Sequence, residues 1–157
     1  MFTHQCFIRK NSEQLRDKLT DLGYELKNGK RIDEYDSIFT QNFETYSIGN
    51  EEKIRSRRCG IYSGFHYLIF DSNKNKESIL KYVIDCGKNE DLFLAIAAMK
   101  DDNPFMQWFI YDIYTMNIEK GTWTLCDHSN QLTIIMLMSA GIIRKATVQE
   151  LIEHFNK

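Results

Sequence analysis

The sequence predicts an α+β fold in which about three helices pack on a mostly antiparallel sheet, within a single domain spanning residues 1–157. The length of 157 residues is that of one domain with one hydrophobic core. Hydrophobic residues make up 43% and charged residues 27% of the chain, a balance typical of a globular protein and not of a disordered one. Stretches with helical spacing lie near both ends and in the middle, and short β-prone stretches lie between them.

The N-terminal residues predict a strand followed by a helix. The stretch "QCFIR" (5–9) is typical of a strand, and three leucines recur at helical spacing within residues 11–23. Asn11 and Gln14 fit a capping box at the start of this helix, and Gly23 is placed to end it.

Residues 26–84 predict strands more than helices. The β-prone pieces "SIFT", "TYSI", "GIY" and "FHYLIF" follow one another between residues 31 and 70, and Asn28-Gly29 is a hairpin signal. Residues 76–87 fit either a short helix or a strand. This middle region is therefore expected to be rich in β structure.

The clearest predicted helix covers residues 89–100. Its first turn is acidic and Lys100 is expected in its last turn, which matches the helix dipole. Asn89 is expected to cap it, and Asp101 and Asp102 are expected to end it on exposed carboxylates. Because this stretch is apolar nearly all round, it is expected to be buried on several sides.

Two further stretches predict strands. Residues 107–116 and 122–126 are typical of a hairpin that turns across "NIEKG". The apolar run "LTIIMLMSAGII" (132–143) is interpreted as one or two buried strands. It is too short for a bilayer span, which needs about 20 residues.

The run "IIRKATVQEL" (142–151) repeats the pattern of "FIRKNSEQL" (7–15). We interpret both as a strand that leads through Arg-Lys to a capped helix, with Thr147 and Glu150 forming the capping box of a last helix over 148–155. Two alternatives stay open. One is a duplication that yields two small pseudo-symmetric βα units, and the other is an anion site, because helix N-termini attract phosphate.

One local basic segment lies within residues 52–67. It contains the four cations Lys53, Arg55, Arg57 and Arg58, followed by aromatic residues that could stack on bases. Alternate residues of an extended strand share one face, so three of these cations would lie together. The alternative is a strand edge protected from aggregation by its charge. The net charge of −2 argues against a general nucleic-acid binder.

The sequence predicts no catalytic residues, no metal site and no cofactor. The four cysteines, Cys6, Cys59, Cys86 and Cys126, are far apart without ligand spacing, and Asp101-Asp102 has no third ligand at a suitable distance in sequence. No phosphate-binding loop or hydrolase motif occurs. Adjacent Cys126, Asp127 and His128 carry little weight, because a nucleophile and its base are usually distant in sequence. An enzyme is therefore not indicated.

The start of the chain also bears on its location. The N-terminal "MFTHQCFIRK" turns polar at once, so no signal peptide is expected, and free thiols in a reducing cytoplasm are predicted. We expect no membrane segment.

Three blocks carry a resemblance to a known group of proteins. The first, Thr3–Glu25, ends its helix in Leu-Gly-Tyr; the second, Asp85–Phe109, reads "DCGKNEDLFLAIAAMKDDNPFMQWF"; the third, Arg144–Phe155, reads "RKATVQELIEHF". With these blocks the chain resembles a group of short uncharacterised proteins encoded by phages, prophages and mobile elements of gut bacteria. The resemblance implies a shared fold and a mobile-element origin, and it brings no catalytic residues.

The expected function follows from this resemblance and from the absence of a catalytic motif. We expect a non-enzymatic accessory module that binds a host or phage protein in the cytoplasm of the bacterial host, with nucleic-acid or phosphorylated-ligand binding through 53–58 as the alternative. An exposed aromatic patch is expected to mark the interface, drawn from Tyr35, Phe39, Phe43, Tyr46 and Tyr62. Because the resemblance lapses over 26–84, this segment is interpreted as a variable recognition insert. The oligomeric state is not predicted.

Overall fold

The computed structural model describes residues 4–26, 36–49, 51–63 and 83–157, with the backbone alone described at 41–48, 51–59 and 62–63. The predicted hairpin signal at Asn28-Gly29 and the piece "FHYLIF" lie outside the described residues. The described elements in chain order are β1 (Cys6–Ile8), α1 (Glu13–Asp21), β2 (Glu25–Leu26), β3 (Ile38–Ile48), β4 (Glu51–Ser63), β5 (Ile84–Asp85), α2 (Glu90–Ala97), β6 (Trp108–Tyr111), β7 (Trp123–Leu125), α3 (Gln131–Ser139), β8 (Ile143–Lys145) and α4 (Val148–Phe155).

The predicted α+β class is confirmed, but the described strands form two sheets where one was expected. One sheet has the order β2-β4-β3-β1-β5, and the other has the order β7-β6-β8. Four of the six pairings between described strands are antiparallel. The chain divides into two compact units, His4–Ala97 and Ala98–Lys157, each with one sheet. The expectation of a single domain stays a prediction.

In the N-terminal unit, the long β3–β4 hairpin pairs with the short strand β1, which lies between β3 and β5. β1 lies antiparallel to β3, with Phe7 opposite Phe39, and parallel to β5, with Cys6 opposite Ile84. The predicted strand at 5–9 is thereby confirmed. Residues 76–87 were expected to form a helix or a strand, and their described end forms the strand β5.

Helix α1 ends as predicted but begins one residue later. Ser12 Oγ, and not Asn11, accepts from the Leu15 backbone N–H at 3.3 Å and caps the helix. Gly23, whose φ of 94° is left-handed, follows the C-cap Leu22 and stops the helix, and the Tyr24 N–H donates to the Leu19 carbonyl oxygen.

Helix α2 is buried as predicted and is shorter than predicted. Every residue from Leu92 to Ala97 is buried, and Asn89 Oδ1 accepts from the Leu92 N–H at 3.0 Å, which confirms the cap. The helix ends at Ala97, so the placement of Lys100 in its last turn is wrong. The Tyr24 hydroxyl donates to the Ala97 carbonyl oxygen at 2.8 Å and thereby ties the end of α2 to the chain after α1.

In the C-terminal unit, β6 is the central strand of three. β7 and β8 both pair antiparallel to it, and Ile110 lies opposite Trp123 on one side and Arg144 on the other. The predicted pairing of 107–116 with 122–126 is confirmed. The turn overlaps the predicted "NIEKG" (117–121): Met116 and Asn117 both have positive φ, and Thr115 lies opposite Ile118.

The interpretation of residues 132–143 as buried strands is wrong. This run forms helix α3 and the start of β8, and only Ile134 and Leu137 of α3 are buried. Gly141, with φ of 70°, ends the helix, and the Ile142 N–H donates to the Leu137 carbonyl oxygen. Leu and Met have high helix propensity, and this preference prevails over the β-branched residues between them.

The two Ile-Arg-Lys runs share one local structure. In each run the isoleucine belongs to a strand, and the run precedes a helix capped by a hydroxyl at the same distance from Arg-Lys: Ser12 for α1 and Thr147 for α4. The capping box of Thr147 and Glu150 and the predicted bounds 148–155 are confirmed. The strands differ in their neighbours, because β1 pairs with β3 and β5 whereas β8 pairs with β6. The repeat is thus a common way to start a helix.

Glu150 also forms an ion-pair network at this cap. Arg144 donates from Nη2 to Glu150 Oε1 at 2.7 Å and from Nη1 to Oε2 at 2.9 Å, and its Nε donates to Asp112 Oδ1 at 3.1 Å. Hydrogen bonds from Arg144 and from the Thr147 N–H lower the pKa of Glu150 to about 2.

The Tyr24→Phe variant should lower the free energy of unfolding by about 1–3 kcal/mol, because the buried Ala97 carbonyl oxygen loses this donor. Chemical denaturation followed by circular dichroism measures this. Tyr114→Phe is the control, since its hydroxyl bonds to Asn117 at an exposed site and its loss should change stability by less than about 0.5 kcal/mol. Equal effects of the two variants would contradict the role assigned to Tyr24.

Glu150→Gln should flatten the acid dependence of stability. A carboxyl whose pKa is lowered by folding stabilises the native state above its unfolded value, here about 4.5, and this contribution is lost as pH falls toward about 2. The variant therefore should differ from wild type most at neutral pH and converge with it near pH 2. Urea midpoints between pH 7 and 2 measure this. Glu153→Gln, an exposed change on the same helix, is the matched control for the loss of one carboxylate.

Candidate functional site

Helix α3 exposes an apolar face. Leu132 is 79% exposed, Met136 72%, Ile135 44% and Met138 39%, although all four belong to residue types that are usually buried. At 100° per residue, Leu132, Ile135 and Met136 share one side of the helix, opposite the buried Ile134 and Leu137. Single exposed apolar residues are common, whereas several on one helix face form an apolar patch.

The ends of α3 are fixed by local hydrogen bonds. Before the helix, Asn130 Nδ2 donates to the Leu125 carbonyl oxygen at 2.9 Å, and Asp127 Oδ1 accepts from the N–H groups of Ser129 and Asn130 at 2.8 and 3.1 Å. Beneath the helix, Ile134 and Leu137 join a core cluster with Phe109. The exposed face is therefore held in a defined position by contacts that do not involve its own side chains.

A cavity of about 240 Å³ adjoins this face. Ile135, Met138 and Ser139 of α3 line one part of it, and Phe109 of β6 also contributes. The remaining lining residues belong to the loop between α2 and β6 and to β8: Lys100, Asp101, Asp102, Asn103, Pro104, Gln107 and Lys145. The apolar face and the cavity are thus one continuous surface through α3.

Gln107 holds the loop wall of the cavity. Its Nε2 donates to the carbonyl oxygens of Lys100 at 2.8 Å and Asn103 at 2.7 Å, and its side chain is almost fully buried. Lys145 Nζ donates to the same Lys100 carbonyl oxygen at 2.8 Å. Gln107 Oε1 is buried with no hydrogen-bond partner in the part of the chain that the structure describes.

The charges that line the cavity cancel. Two lysines, Lys100 and Lys145, lie with two aspartates, Asp101 and Asp102, and Lys145 Nζ is 3.8 Å from Asp101 Oδ1. Lys100 is 5% exposed, and burial lowers the pKa of its ammonium. Its Nζ lies 5.9 Å from the centre of the Phe105 ring. The cavity is accordingly polar on one side without a net charge.

The basic segment lies on strand β4. The register places Lys53 opposite Tyr46 and Arg55 opposite Glu44, whereas Arg57 and Arg58 fall at a bulge between the pairs Phe43–Ser56 and Gln41–Cys59. Two residues apart on an extended strand, Lys53 and Arg55 share a face, but the bulge interrupts the alternation on which the predicted row of three cations depended. The side chains of all four cations lie outside the described residues, and ligand binding here stays a prediction.

The predicted aromatic interface is wrong at Phe39. This ring is 1% exposed and belongs to the core of the N-terminal unit, where its residue lies opposite Phe7. Tyr35 and the side chains of Phe43, Tyr46 and Tyr62 lie outside the described residues. The exposed apolar face of α3, in contrast, is made of leucine, isoleucine and methionine.

A second aromatic cluster covers the sheet of the C-terminal unit. The Trp123 and His154 rings stack with centroids 4.0 Å apart, and Trp108 lies 5.7 Å from Phe155 and 6.4 Å from Trp123. All four residues are half-buried. These rings join α4 to β6 and β7, so packing accounts for them.

The described cysteines are buried and unpaired: Cys6, Cys86 and Cys126. The hydrogen bond with the Cys6 thiol, together with burial, raises the pKa of Cys86, and burial raises the pKa of Cys126. A raised pKa disfavours the thiolate that nucleophilic chemistry needs. Asp127 serves the turn before α3, where hydrogen bonds from Ser129 lower its pKa. Among the described residues no group of three or more potential metal ligands comes together.

Within the described ranges, no helix is long and apolar enough to cross a membrane.

Sequence reasoning missed the α3 surface because it assigned this run to buried strands. Two signals could have revealed it. Asp127 through Asn130 form a helix-initiating turn, and Gly141 lies where a helix stop requires positive φ. Within the helix that these signals bound, only Ile134 and Leu137 are buried. The other apolar residues of the helix are more exposed to solvent.

Replacing Leu132 and Met136 by glutamine should lower the binding of a hydrophobic fluorescent dye while changing the free energy of unfolding by less than about 0.5 kcal/mol per site. Dye fluorescence and urea denaturation measure the two effects. Ile134→Ala, on the opposite side of the same helix, should cost about 2–5 kcal/mol. A large stability loss in the glutamine variants would show that these side chains are packed.

Comparison with protein-family models, with curated proteins and with solved structures gives no match for this chain.

Proposed function

We propose that this protein is a non-enzymatic binding module that docks an apolar segment of a partner protein on the exposed face of α3. The observation that carries the proposal is the exposure of Leu132 and Met136, each more than two-thirds accessible on one helix face. Covering one such side chain contributes about 1.5–3 kcal/mol, so a partner that covers several gains affinity from this helix alone.

The chemistry of this face favours a protein partner. Methionine is unbranched and adapts its shape, and for this reason it recurs at surfaces that accept apolar helices or loops. The face carries three exposed apolar side chains and no charge at its centre, which excludes a phosphate backbone as its ligand. The partner is therefore expected to present leucine-like or aromatic side chains.

The rigid support of α3 favours binding without rearrangement. The turn of Asp127 and Asn130 fixes its start, Gly141 fixes its end, and Leu137 anchors its inner face. A preformed surface loses little conformational entropy when a partner docks.

The cellular setting of this module rests on the resemblance of the three sequence blocks. On that ground we propose an accessory protein of a phage or mobile element, acting on a host or phage protein in the bacterial cytoplasm.

The test is affinity capture from the native host lysate with and without nuclease, using wild type and single-charge variants. Leu132→Lys and Met136→Lys should each weaken capture of a stoichiometric protein about tenfold or more, because they place an ammonium in an apolar interface. Thr133→Lys adds the same charge to an exposed position of the same helix outside the apolar face, and it should retain capture. Retention of the partner by all three variants would refute the role of α3.

The alternative is binding of nucleic acid or a phosphorylated ligand through 53–58. The register that sets Lys53 and Arg55 on one face of β4 favours it. If the protein recovers nucleic acid, this binding should weaken steeply with salt and be lost in the triple variant Arg55→Ala, Arg57→Ala, Arg58→Ala. That result would assign the binding function to 53–58.

A further inference from the structure

We propose that Met136 is a site of reversible oxidation, and that conversion of its thioether to a sulfoxide switches off docking on the exposed face of α3. This inference rests on the proposed function, because the face that it regulates is the one that binds the partner. It adds the chemical group through which that binding is controlled.

Met136 is the most exposed methionine among the residues that the structure describes. Its exposed fraction is 72%, against 70% for Met116, 39% for Met138 and 7% for Met99, and Met106 is half-buried. An oxidant must reach the sulfur before it can react, so exposure sets the order in which methionines are oxidised. Met136 and Met116 are therefore the described methionines that a peroxide reaches first.

The described thiols compete poorly for the same oxidant. Cys6, Cys86 and Cys126 are 1%, 5% and 0% exposed. The hydrogen bond with Cys6, together with burial, raises the pKa of Cys86, and burial raises the pKa of Cys126. A thiol reacts as its thiolate, which a raised pKa disfavours. A thioether has no proton to lose, so the reactivity of Met136 depends on access alone.

The reaction balances with hydrogen peroxide as the oxidant. A lone pair of the sulfur attacks one peroxide oxygen, the O–O bond breaks, and the other oxygen leaves as water with both peroxide protons. The sulfur is oxidised by two electrons and the peroxide is reduced by two. In the reverse step two thiols reduce the sulfoxide to the thioether and yield one disulfide and one water, so the modification is reversible.

Met136 lies in the middle of the apolar face. On the helix surface it follows Leu132 by one turn and lies beside Ile135. A sulfoxide oxygen is a hydrogen-bond acceptor, and at this exposed position it binds water. A partner that covers the face must remove that water without replacing its hydrogen bond, and this desolvation opposes docking.

The support of α3 does not depend on the sulfur of Met136. The helix is held by backbone hydrogen bonds, as where the Ala140 N–H donates to the Met136 carbonyl oxygen at 3.0 Å. Its contacts with the core cluster are made by Ile134 and Leu137 on the opposite side. Oxidation of Met136 therefore changes the polarity of the docking surface and leaves the fold intact.

The first experiment measures the order of oxidation in the full chain. The folded protein is treated with hydrogen peroxide, and peptide mass spectrometry follows the sulfoxide at each methionine over time. Sulfoxide should form at Met136 and Met116 about tenfold faster than at Met99. Oxidation of Met136 no faster than that of Met99 would overturn the inference.

The second experiment assigns the change in the surface to one sulfur. The probe is the apolar dye anilinonaphthalene sulfonate, and peroxide should weaken its binding to wild type about twofold. Met136→Leu keeps a similar apolar volume without a sulfur, so its dye binding should not respond to peroxide. Met116→Leu, equally exposed but outside α3, is the matched control and should respond as wild type does.

Reduction of the oxidised wild type by a methionine sulfoxide reductase with dithiothreitol should restore dye binding. The urea midpoint should be the same before and after oxidation. An equal loss of dye binding in Met136→Leu and in wild type would contradict the assignment to Met136. A lower urea midpoint after oxidation would show damage to the core in place of a surface change, and would also overturn the inference.

Partner capture separates this inference from the proposed function. Oxidised wild type, used in a lysate desalted to remove thiols, should capture the partner about tenfold more weakly than the reduced protein, whereas Met136→Leu should be insensitive to peroxide. If Leu132→Lys abolishes capture but oxidised wild type keeps it, the α3 surface stands and the oxidation switch is wrong. If the lysine variants of α3 keep the partner, the function fails and the switch falls with it.

Discussion

The carbonyl oxygen of Lys100 is the point on which the C-terminal unit depends. It accepts from Gln107 Nε2 and from Lys145 Nζ, both at 2.8 Å, and so joins the loop after α2 to the start of β6 and the end of β8. A carbonyl has two lone pairs, and here both are used. One donor precedes β6 and the other lies at the end of β8, so this oxygen links the loop to both strands.

This arrangement explains why a lysine is buried where a helix was expected to continue. Because α2 ends at Ala97, the chain at Lys100 is free to turn its carbonyl toward Gln107 and Lys145. The side chain of Lys100 is covered as a consequence, and its desolvation lowers the pKa of the ammonium. The sequence places Lys100 in a helix from its charge alone. In the structure, Lys100 is held by the side chains of Gln107 and Lys145, which lie seven and forty-five residues further along the chain.

The contrast between local and distant constraints sets how far the sequence predicts this fold. Caps and stops are local, so the bounds of α4, the stop at Gly23 and the cap at Asn89 were predicted from neighbouring residues. Asn and Ser are both favourable N-cap residues, so the sequence does not distinguish Asn11 from Ser12. The choice of Ser12 depends on tertiary packing. The α3 surface could not be predicted from periodicity, since a helix apolar on all sides gives no signal of which side faces solvent. The wall of the cavity depends on the hydrogen bonds of Gln107 and Lys145 to the Lys100 carbonyl oxygen. No sequence pattern predicts these contacts between distant residues.

The lengths of the edge strands limit how the C-terminal unit can recognise another chain. β7 and β8 have three residues each, and both flank the single central strand β6. A peptide that extends a sheet gains affinity from a series of main-chain hydrogen bonds, and an edge of three residues offers too few for a stable register. Addition of a strand is thus a poor mode of recognition for this unit. A partner would instead be recognised through side-chain contacts, as when a helix or loop binds in a groove.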